Sequence, residues 1–470
     1  MTEEKTRVED IDRSLYDFRV EDRDSFRVES GLTPEIIDQI SAEKKDPEWM
    51  REFRQKSLEI FKKLRMPDWG PPIDGLDMDH IVTYVRPNTE RMHTRWEDVP
   101  AEIKNTFDRL GIPQSERESL AGVGAQYDSE LVYHNVRKEV AEQGVIYTDI
   151  ESALHGEYAG MIRDHFMKLV PPTDHKFAAL HGAVWSGGSF VYVPPGVTVE
   201  IPLQSYFRLN APGAGQFEHT LILVDEGADL HFIEGCSAPK YNVANLHAGC
   251  VELFVGKNAR LRYSTIENWS KNMYNLNTKR AIVEEGGRIE WVSGSFGSHV
   301  SYLYPMSILA GKGAACEFTG VTFAGAGQNL DTGCKIVHQA PETTSFVNTR
   351  SISKSGGIST FRSAVVVNPA AKRSKSSVSC QSLMLDGESR SDTIPAMDIR
   401  TMDADVGHEA SIGRISDDAV FYLMSRGLSE EDAKALIVSG FAENVSKELP
   451  LEYAVEMNNL IRIEMKGAIG

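Results

Sequence analysis

The run Asp225-Glu226-Gly227-Ala228-Asp229-Leu230-His231-Phe232-Ile233-Glu234-Gly235-Cys236 decides how this chain folds. A turn, Glu226-Gly227, leads at once into a short strand-like segment, Asp229–Glu234. The same pair of signals recurs. Turns fall at Pro195-Gly196, Glu226-Gly227, Lys257-Asn258, Gly286-Gly287, Gly313 and Pro341-Glu342, so Gly196, Gly227, Asn258, Gly286, Gly313 and Glu342 stand 31, 31, 28, 27 and 29 residues apart. Each is followed by a strand-like run: Thr198–Leu203, Asp229–Glu234, Arg260–Ile266, Arg288–Ser293, Ala315–Phe318 and Thr343–Asn348. A period near 30 built of strands and turns is the mark of a stacked solenoid. Propeller blades are longer, ~40–45 residues. A doubly wound sheet would need helical crossovers between the strands, and none is legible. The expected fold is mainly β, a parallel β-helix whose interior is filled by stacked side chains.

Outward from this core the pattern changes. Residues 1–30 are highly charged and read as a loose terminus. The region 31–174 reads as helical. Thr33-Pro34-Glu35 supplies an N-cap, a proline in the first turn and an acidic residue near the positive helix end. Ile36, Ile37 and Ile40 share a face, and Trp49, Phe53, Leu58 and Phe61 mark a second helix that ends before Pro67. Further helices are expected over 98–111 and 129–142. The solenoid is expected over 175–404, and a C-terminal helical domain over 405–470. There Ser429-Glu430-Glu431-Asp432 is an N-cap with an acidic first turn, and a last helix starts near Pro450.

Composition narrows the function. Fifty Lys and Arg against 68 Asp and Glu give a formal charge of −18, which argues against nucleic acid as a partner. No apolar run reaches the ~20 residues that span a bilayer, so no membrane role is expected. The first residues are charged and lead into no secretory core. Five cysteines with no CxxC spacing predict reduced thiols in the cytoplasm rather than a preformed zinc or redox site. There is no GxxxxGK[ST] phosphate loop and no GxSxG elbow, so independent catalysis of those kinds is not expected. Asp225-Glu226 and Glu284-Glu285 sit at turns and read as solvated corners rather than as the carboxylate cluster of a carbohydrate-cleaving β-helix enzyme.

The repeat serves as a ruler. If Gly227 stacks under Asn258, Cys236 meets Glu267 on the next strand, ~4.8 Å away. Leu230, Phe232, Glu234 and Cys236 share one face, and Leu261, Tyr263, Thr265, Glu267 and Trp269 share the matching one. Both sets begin apolar, so both point inward, and polar groups would enter an apolar tube. A buried charge needs a partner. Arg208 and Lys279 are the candidate cations to hold Cys236 as a reactive thiolate, although Pro202 upsets the strand parity before Arg208. A plain packing role is the alternative for Cys236, and the expectation for Cys250, Cys316, Cys334 and Cys380 on these grounds alone. His408-Glu409 lacks the second histidine of a zincin helix.

Several segments, in order along nearly the whole chain, resemble the SufB/SufD family of the SUF iron–sulfur assembly system. They are Ala178–Phe190, Tyr206-Phe207-Arg208-Leu209-Asn210, Glu234-Gly235-Cys236-Ser237-Ala238-Pro239, Thr278-Lys279-Arg280, Gly407-His408-Glu409-Ala410 and Ala435–Phe441. The resemblance implies a helical N-terminal region, a right-handed parallel β-helix and a C-terminal helical domain. It implies a scaffold, not an enzyme, which assembles a transient iron–sulfur cluster, of [4Fe-4S] type, for apo iron–sulfur proteins. It implies a complex with the SufC ATPase and with a SufD paralogue or a second copy of this chain, and sulfur supplied as persulfide by a cysteine desulfurase system. Reduced flavin is a further cofactor suggested for such complexes. In this frame Cys236 is the first sulfur acceptor, and Arg208, Asn210, Glu267, Trp269 and Lys279 line its route. Cys380, His408 and Glu409 are the candidate cluster ligands, and Leu436, Ile437, Val438 and Phe441 dock the ATPase. The chain departs from some members at Glu267 (glutamine elsewhere), Ile399 (cysteine) and Gly407 (acidic). A SufD-like partner role is the alternative within the family, and Cys236 in its motif favours the SufB side.

Overall fold

The structure, a computed structural model, describes residues 24–88, 93–109, 120–447, 449 and 451–466. Most of the expected charged N-terminus, residues 1–23, lies outside these. Its end does not: Asp24–Arg27 is a strand that pairs antiparallel with Val85–Pro87.

The chain forms a β-solenoid with helices at both ends. One wall is a sheet in which eight strands stack in parallel, from Leu203–Arg208 through Asp229–Ser237, Arg260–Asn268, Arg288–Phe296, Ala315–Ala324, Thr344–Ser353 and Ser374–Met384 to Ala404–Arg414. The opposite wall is divided in the early coils, as in Asn245–His247 and Cys250–Val255. It merges into single long strands in the last three coils, Asn329–His338, Ile358–Val367 and Arg390–Ile399. The six turn residues used as the ruler share one conformation. Gly196, Gly227, Asn258, Gly286, Gly313 and Glu342 have φ of 72°, 68°, 53°, 65°, 70° and 61°. The corner needs a left-handed residue, which glycine adopts without strain and asparagine tolerates. Glu342 is held there while its carboxylate pairs with Arg373 and Lys312.

Inside the tube an aromatic ladder climbs the stack. Phe232, Tyr263, Trp291 and Phe318 are successive register partners. The Phe232 and Tyr263 rings lie 5.6 Å apart, as do those of Tyr263 and Trp291, contacts worth ~0.5–1.5 kcal/mol each beyond their buried area. On the outside of the same wall, Ile233, Ile266, Val292, Val321 and Ile352 pack under Ala433, Val438, Ala442 and Met457 of two C-terminal helices, Glu430–Ser446 and Leu451–Lys466.

Several boundaries differ from expectation. The segment 129–142 is a strand, Glu130–Val136, followed by a short helix, Lys138–Glu142. Leu131, Val132 and Tyr133 favour a strand because Gly122–Tyr127 offers an antiparallel partner, and that partner extends the solenoid wall itself. The chain does not turn helical at 405. Ala404–Arg414 is the last strand of the stack, and the helix begins at Asp417, where Ser416 accepts from Ala419 N–H. His408 and Glu409 are therefore solenoid residues. The run beginning at Thr198 makes only an isolated bridge to Asp229, and the strand proper starts after Pro202, at Leu203. Proline has no N–H to give to the ladder. The 33–44 helix forms as its cap signals require, with Thr33 accepting from Ile36 N–H and Ile36, Ile37 and Ile40 buried.

Candidate functional site

The register places Cys236 beside Glu267, as the 31-residue step requires. No bulge interrupts the strand at Gly235, so Glu234 and Cys236 both face the interior with Phe232. Lys279, on the opposite wall, reaches across the tube. Its Nζ donates to Glu234 Oε1 at 2.8 Å and to Thr265 Oγ1 at 2.9 Å, and lies 3.8 Å from Glu267 Oε1. Tyr263 Oη donates to the other oxygen of Glu234. Asn275 Nδ2 donates to Glu267 Oε2 at 2.8 Å, its Oδ1 is 2.8 Å from His247 Nδ1, and His247 Nε2 meets Glu218 Oε1 at 2.5 Å. Every member of this cage is buried.

The electrostatics follow from that closure. Burial opposes charge on Lys279, but Glu234 and Glu267 outweigh it and raise the ammonium above its ordinary range. His247 behaves alike, with Glu218 overcoming burial. Burial raises the Glu267 carboxyl, while Lys279 and His247 pull it back. Cys236 is pushed well above a free thiol, first by burial and then by the charges of Glu234, Glu218 and Glu267; Lys279 only partly offsets them. The resting group is a thiol, not the thiolate that a neighbouring cation was expected to hold. The cation is spent on two carboxylates. The nearest acceptor for the thiol is Glu234 Oε1, 4.0 Å from Sγ.

Trp269 packs in the cluster around Cys236 with Phe207 and Met273, and its ring lies 4.7 Å from that of His247. Arg208 is elsewhere. It pairs in register with Ser237, on the outer face of the strand, and its Nη1 donates to Ser237 Oγ at 3.2 Å. Pro202 shifts the register by two residues and so leaves the parity unchanged, contrary to expectation: Val199 and Leu203 both face inward, and Arg208 falls on the outer face. Asn210 follows in the next turn, its backbone N–H donating to Asp128 Oδ1 at 2.6 Å. Both are buried beside the N-terminal region, and Arg208 lies on the far side of the strand from the Lys279 cage.

From the Cys236 layer, two rows of small or polar residues run along the tube. Glu234, Thr265, Ser293, Gly320, Thr349 and Cys380 are successive register partners. So are Cys236, Glu267, Ser295, Thr322, Ser351 and Ser382. A narrow cavity of ≈ 30 Å³ follows them, lined by Glu267 and Lys279 at one end and by Thr349, Arg350 and Ser351 at the other. Five strand steps separate the cysteines, about 24 Å. At the far end Cys380 Sγ lies 3.7 Å from His408 Nε2. Burial lifts the Cys380 thiol to about 11, with Thr349 and Arg350 pulling it down. His408 is half-buried and Glu409, its chain neighbour on the opposite face, is exposed.

Beyond this layer the stack ends. The strands Arg390–Ile399 and Ala404–Arg414 have no further strand on their outer side among the described residues. Ile394, Met397, Ile399 and Ile412 are exposed there. Of the expected docking residues, Leu436 is exposed, Ile437 and Phe441 are half-buried against the solenoid, and Val438 is fully buried in the chain's own core. The 3.6-residue period turns Val438 inward whenever Leu436 faces out.

A profile described as "SUF system FeS cluster assembly, SufBD core domain" matches residues 207–441. The chain belongs to the SufB/SufD family. It is 50% identical over 461 residues, 98% of this chain and 99% of the relative, to the iron–sulfur cluster assembly protein SufB of Bacillus subtilis. It is 49% identical over the same length to SufBD family proteins of Staphylococcus epidermidis and Staphylococcus haemolyticus, with the same coverage. The chain is thus an iron–sulfur cluster assembly protein of the SUF system. The helices described include none long and apolar enough to cross a membrane.

The repeat ruler set Cys236 against Glu267, and the search for a cation named Lys279, but Glu218, His247 and Asn275 were missed. The signal was present: His247 and Asn275 are register partners 28 residues apart, and the same ruler laid on the opposite wall finds them.

Proposed function

We propose that this chain is the sulfur-accepting scaffold of a SUF complex, taking persulfide sulfur at Cys236 and building a transient cluster at Cys380 and His408. The carrying observation is the continuous pair of rows of small or polar residues from the Cys236 cage to Cys380, with a narrow cavity along their middle, from Glu267 to Ser351, that neither cysteine lines. At about 24 Å the two thiols never touch, so what travels is a small sulfur species rather than a protein-bound persulfide. Release of sulfide from a persulfide consumes two electrons, which reduced flavin would supply. Cys236 loses its proton as it takes on sulfur, and Glu234 is the adjacent acceptor.

One thiol and one imidazole are fewer ligands than a stable cluster needs, since four thiolates are usual. The remaining positions fall to Glu409 or to a second protein on the open end of the stack. An apolar, unpaired strand edge is suited to cover by a similar solenoid, either the SufD paralogue or a second copy. A cluster bridging two subunits is released when the interface shifts, and a SufC ATPase docked near Leu436, Phe421 and Tyr422, all exposed, would supply the shift through its different affinities for two states. Apo iron–sulfur proteins would be the recipients, and the cytoplasm the setting.

The test is anaerobic reconstitution of the chain with its ATPase partner, comparing Cys236→Ser with the unmodified protein by absorption and persulfide mapping. Cys236→Ser is expected to lose the persulfide and cluster built from desulfurase-supplied sulfur, yet to keep the cluster formed from added sulfide. Full retention with the desulfurase would reduce Cys236 to a packing residue. The SufD-like reading predicts that retention.

A further inference from the structure

A second group of ligand-type side chains lies outside the tube, between the helix Lys176–Val184 and the outer face of the wall opposite Cys236. His181 comes from the helix, and His219 and Cys250 are register partners on neighbouring coils. Each is buried to within 1% of its surface. Their donor atoms all lie within 4.8 Å of one another.

The ring nitrogens decide what this group can hold. His181 Nδ1 is 3.0 Å from the carbonyl oxygen of Ala248, so that nitrogen carries the hydrogen. Its Nε2 then presents a lone pair to His219 Nδ1, 3.0 Å away. At the other side of the His219 ring, Nε2 lies 3.2 Å from Glu252 Oε2, outside hydrogen-bond geometry. That carboxylate is fixed as an acceptor, receiving the backbone N–H groups of Met167, Leu169 and Val170 at 2.5, 2.6 and 2.9 Å. With no cation present, His219 Nδ1–H donates to His181 Nε2 and joins the two rings; with the hydrogen moved to Nε2, beside the carboxylate, Nδ1 is left bare. In that tautomer the two bare nitrogens face each other 3.0 Å apart in an apolar setting, an arrangement that a cation between them stabilises.

We propose that His181, His219 and Cys250 bind one mononuclear divalent transition-metal ion of the zinc type, with a fourth position open. Two imidazoles and one thiolate are a usual donor set for zinc, and two ligands of a tetrahedral ion stand about 3.3 Å apart at Zn–N bonds of ~2.0–2.1 Å. His181 already has the outer partner that metal-bound imidazoles keep, the carbonyl of Ala248, and the Glu252 carboxylate stands 3.2 Å from His219 Nε2. Binding releases the Cys250 thiol proton to solvent, and the three donor atoms, now within 4.8 Å of one another, draw in to bonding distance. The ion would fasten the helix to the solenoid. It does not depend on the sulfur path, because Cys250 points away from the tube.

The experiment uses the full chain, stripped with a chelator and titrated with Co²⁺. One equivalent is expected to bind with a thiolate-to-cobalt charge-transfer band and tetrahedral d–d bands, and Zn²⁺ is expected to displace it. Cys250→Ser should abolish the charge-transfer band, while the double variant Cys236→Ser/Cys380→Ser should keep it. X-ray absorption on the unmodified chain should give one sulfur and two imidazoles, a readout that stands even if the Cys250 variant does not fold. Absence of a band in the unmodified chain, survival of the band in Cys250→Ser, or a shell without sulfur would each overturn the site and leave a shared proton between the histidines.

Discussion

Cys236 and Cys380 line the same tube, lie within two residues of the same register row and are both buried, yet the stack around them differs. Cys236 has coils on both sides, a lid from Val82 and Val85, and a closed cage of Glu218, Glu234, Glu267, His247 and Lys279. Cys380 lies one strand from the end of the stack and meets a half-exposed histidine. A solenoid interior is closed wherever a further coil follows and open where the repeat stops. The position of a cysteine along the stack, rather than its local sequence, therefore decides whether it is enclosed or can be shared with another molecule.

The largest break in this contrast should come from Lys279→Met. Removing it leaves Glu234 and Glu267 buried without their cation, at a cost of about 3–5 kcal/mol. Urea unfolding would measure it, and the double variant with Glu234→Gln should recover part of the loss. A cost under ~1 kcal/mol would mean that water enters the cage.

Alkylation sharpens the contrast kinetically. In the native chain, iodoacetamide should label Cys380 at least tenfold faster than Cys236, and mapping of the modified peptides gives the ratio. Equal rates would show the Cys236 end to be open.

The outer surface supplies a control for the interior. Glu290 binds Arg260, Arg262 and Arg288 on the outside of the wall, and despite partial burial these cations hold its carboxyl down, at about 2. A depressed carboxyl stabilises above its unfolded pKa, ~4.3, and the contribution is lost as pH falls through the folded value. Stability of the unmodified chain should fall between about pH 4.5 and 2, and Glu290→Gln should flatten that limb. Lys279 is the reverse case. Its raised pKa stabilises below ~10.4 and the contribution is lost only above that, so Lys279→Met acts on the acid limb only through Glu234 and Glu267. Their unpaired carboxyls should take up protons and recover part of the lost stability as pH falls.

The smallest effect belongs to the open end. His408→Ala should shift stability by no more than ~0.5 kcal/mol, while lowering the cluster retained after reconstitution. A large stability loss would mean that His408 is a packing residue.

Much of this was legible in the residues. The turn period fixed the stacking, because each corner requires a left-handed residue and so repeats glycine or asparagine at the same place. Register then followed by counting, and it placed Cys236 against Glu267. Strand alternation put Glu234 and Cys236 inside. Local pattern was less informative where a partner strand decided the outcome. Leu131-Val132-Tyr133 could serve a helix or a strand until Gly122–Tyr127 lay beside it, and Ala404–Arg414 is a strand because Ser374–Met384 offers an edge. Arg208 was within reach of the same alternation, since the two-residue shift at Pro202 preserves parity and places it with Thr198 on the outer face.

By itself the sequence determined the solenoid, its period and the membership of the interior rows, since these depend on backbone conformation and side-chain parity, both local properties. Only the tertiary structure decided that Lys279 serves two carboxylates rather than the thiol, that Val438 turns inward, and that His181 meets His219 and Cys250. Those outcomes depend on which groups from distant coils share a low-dielectric space, where pairing, not proximity in the chain, sets charge and protonation.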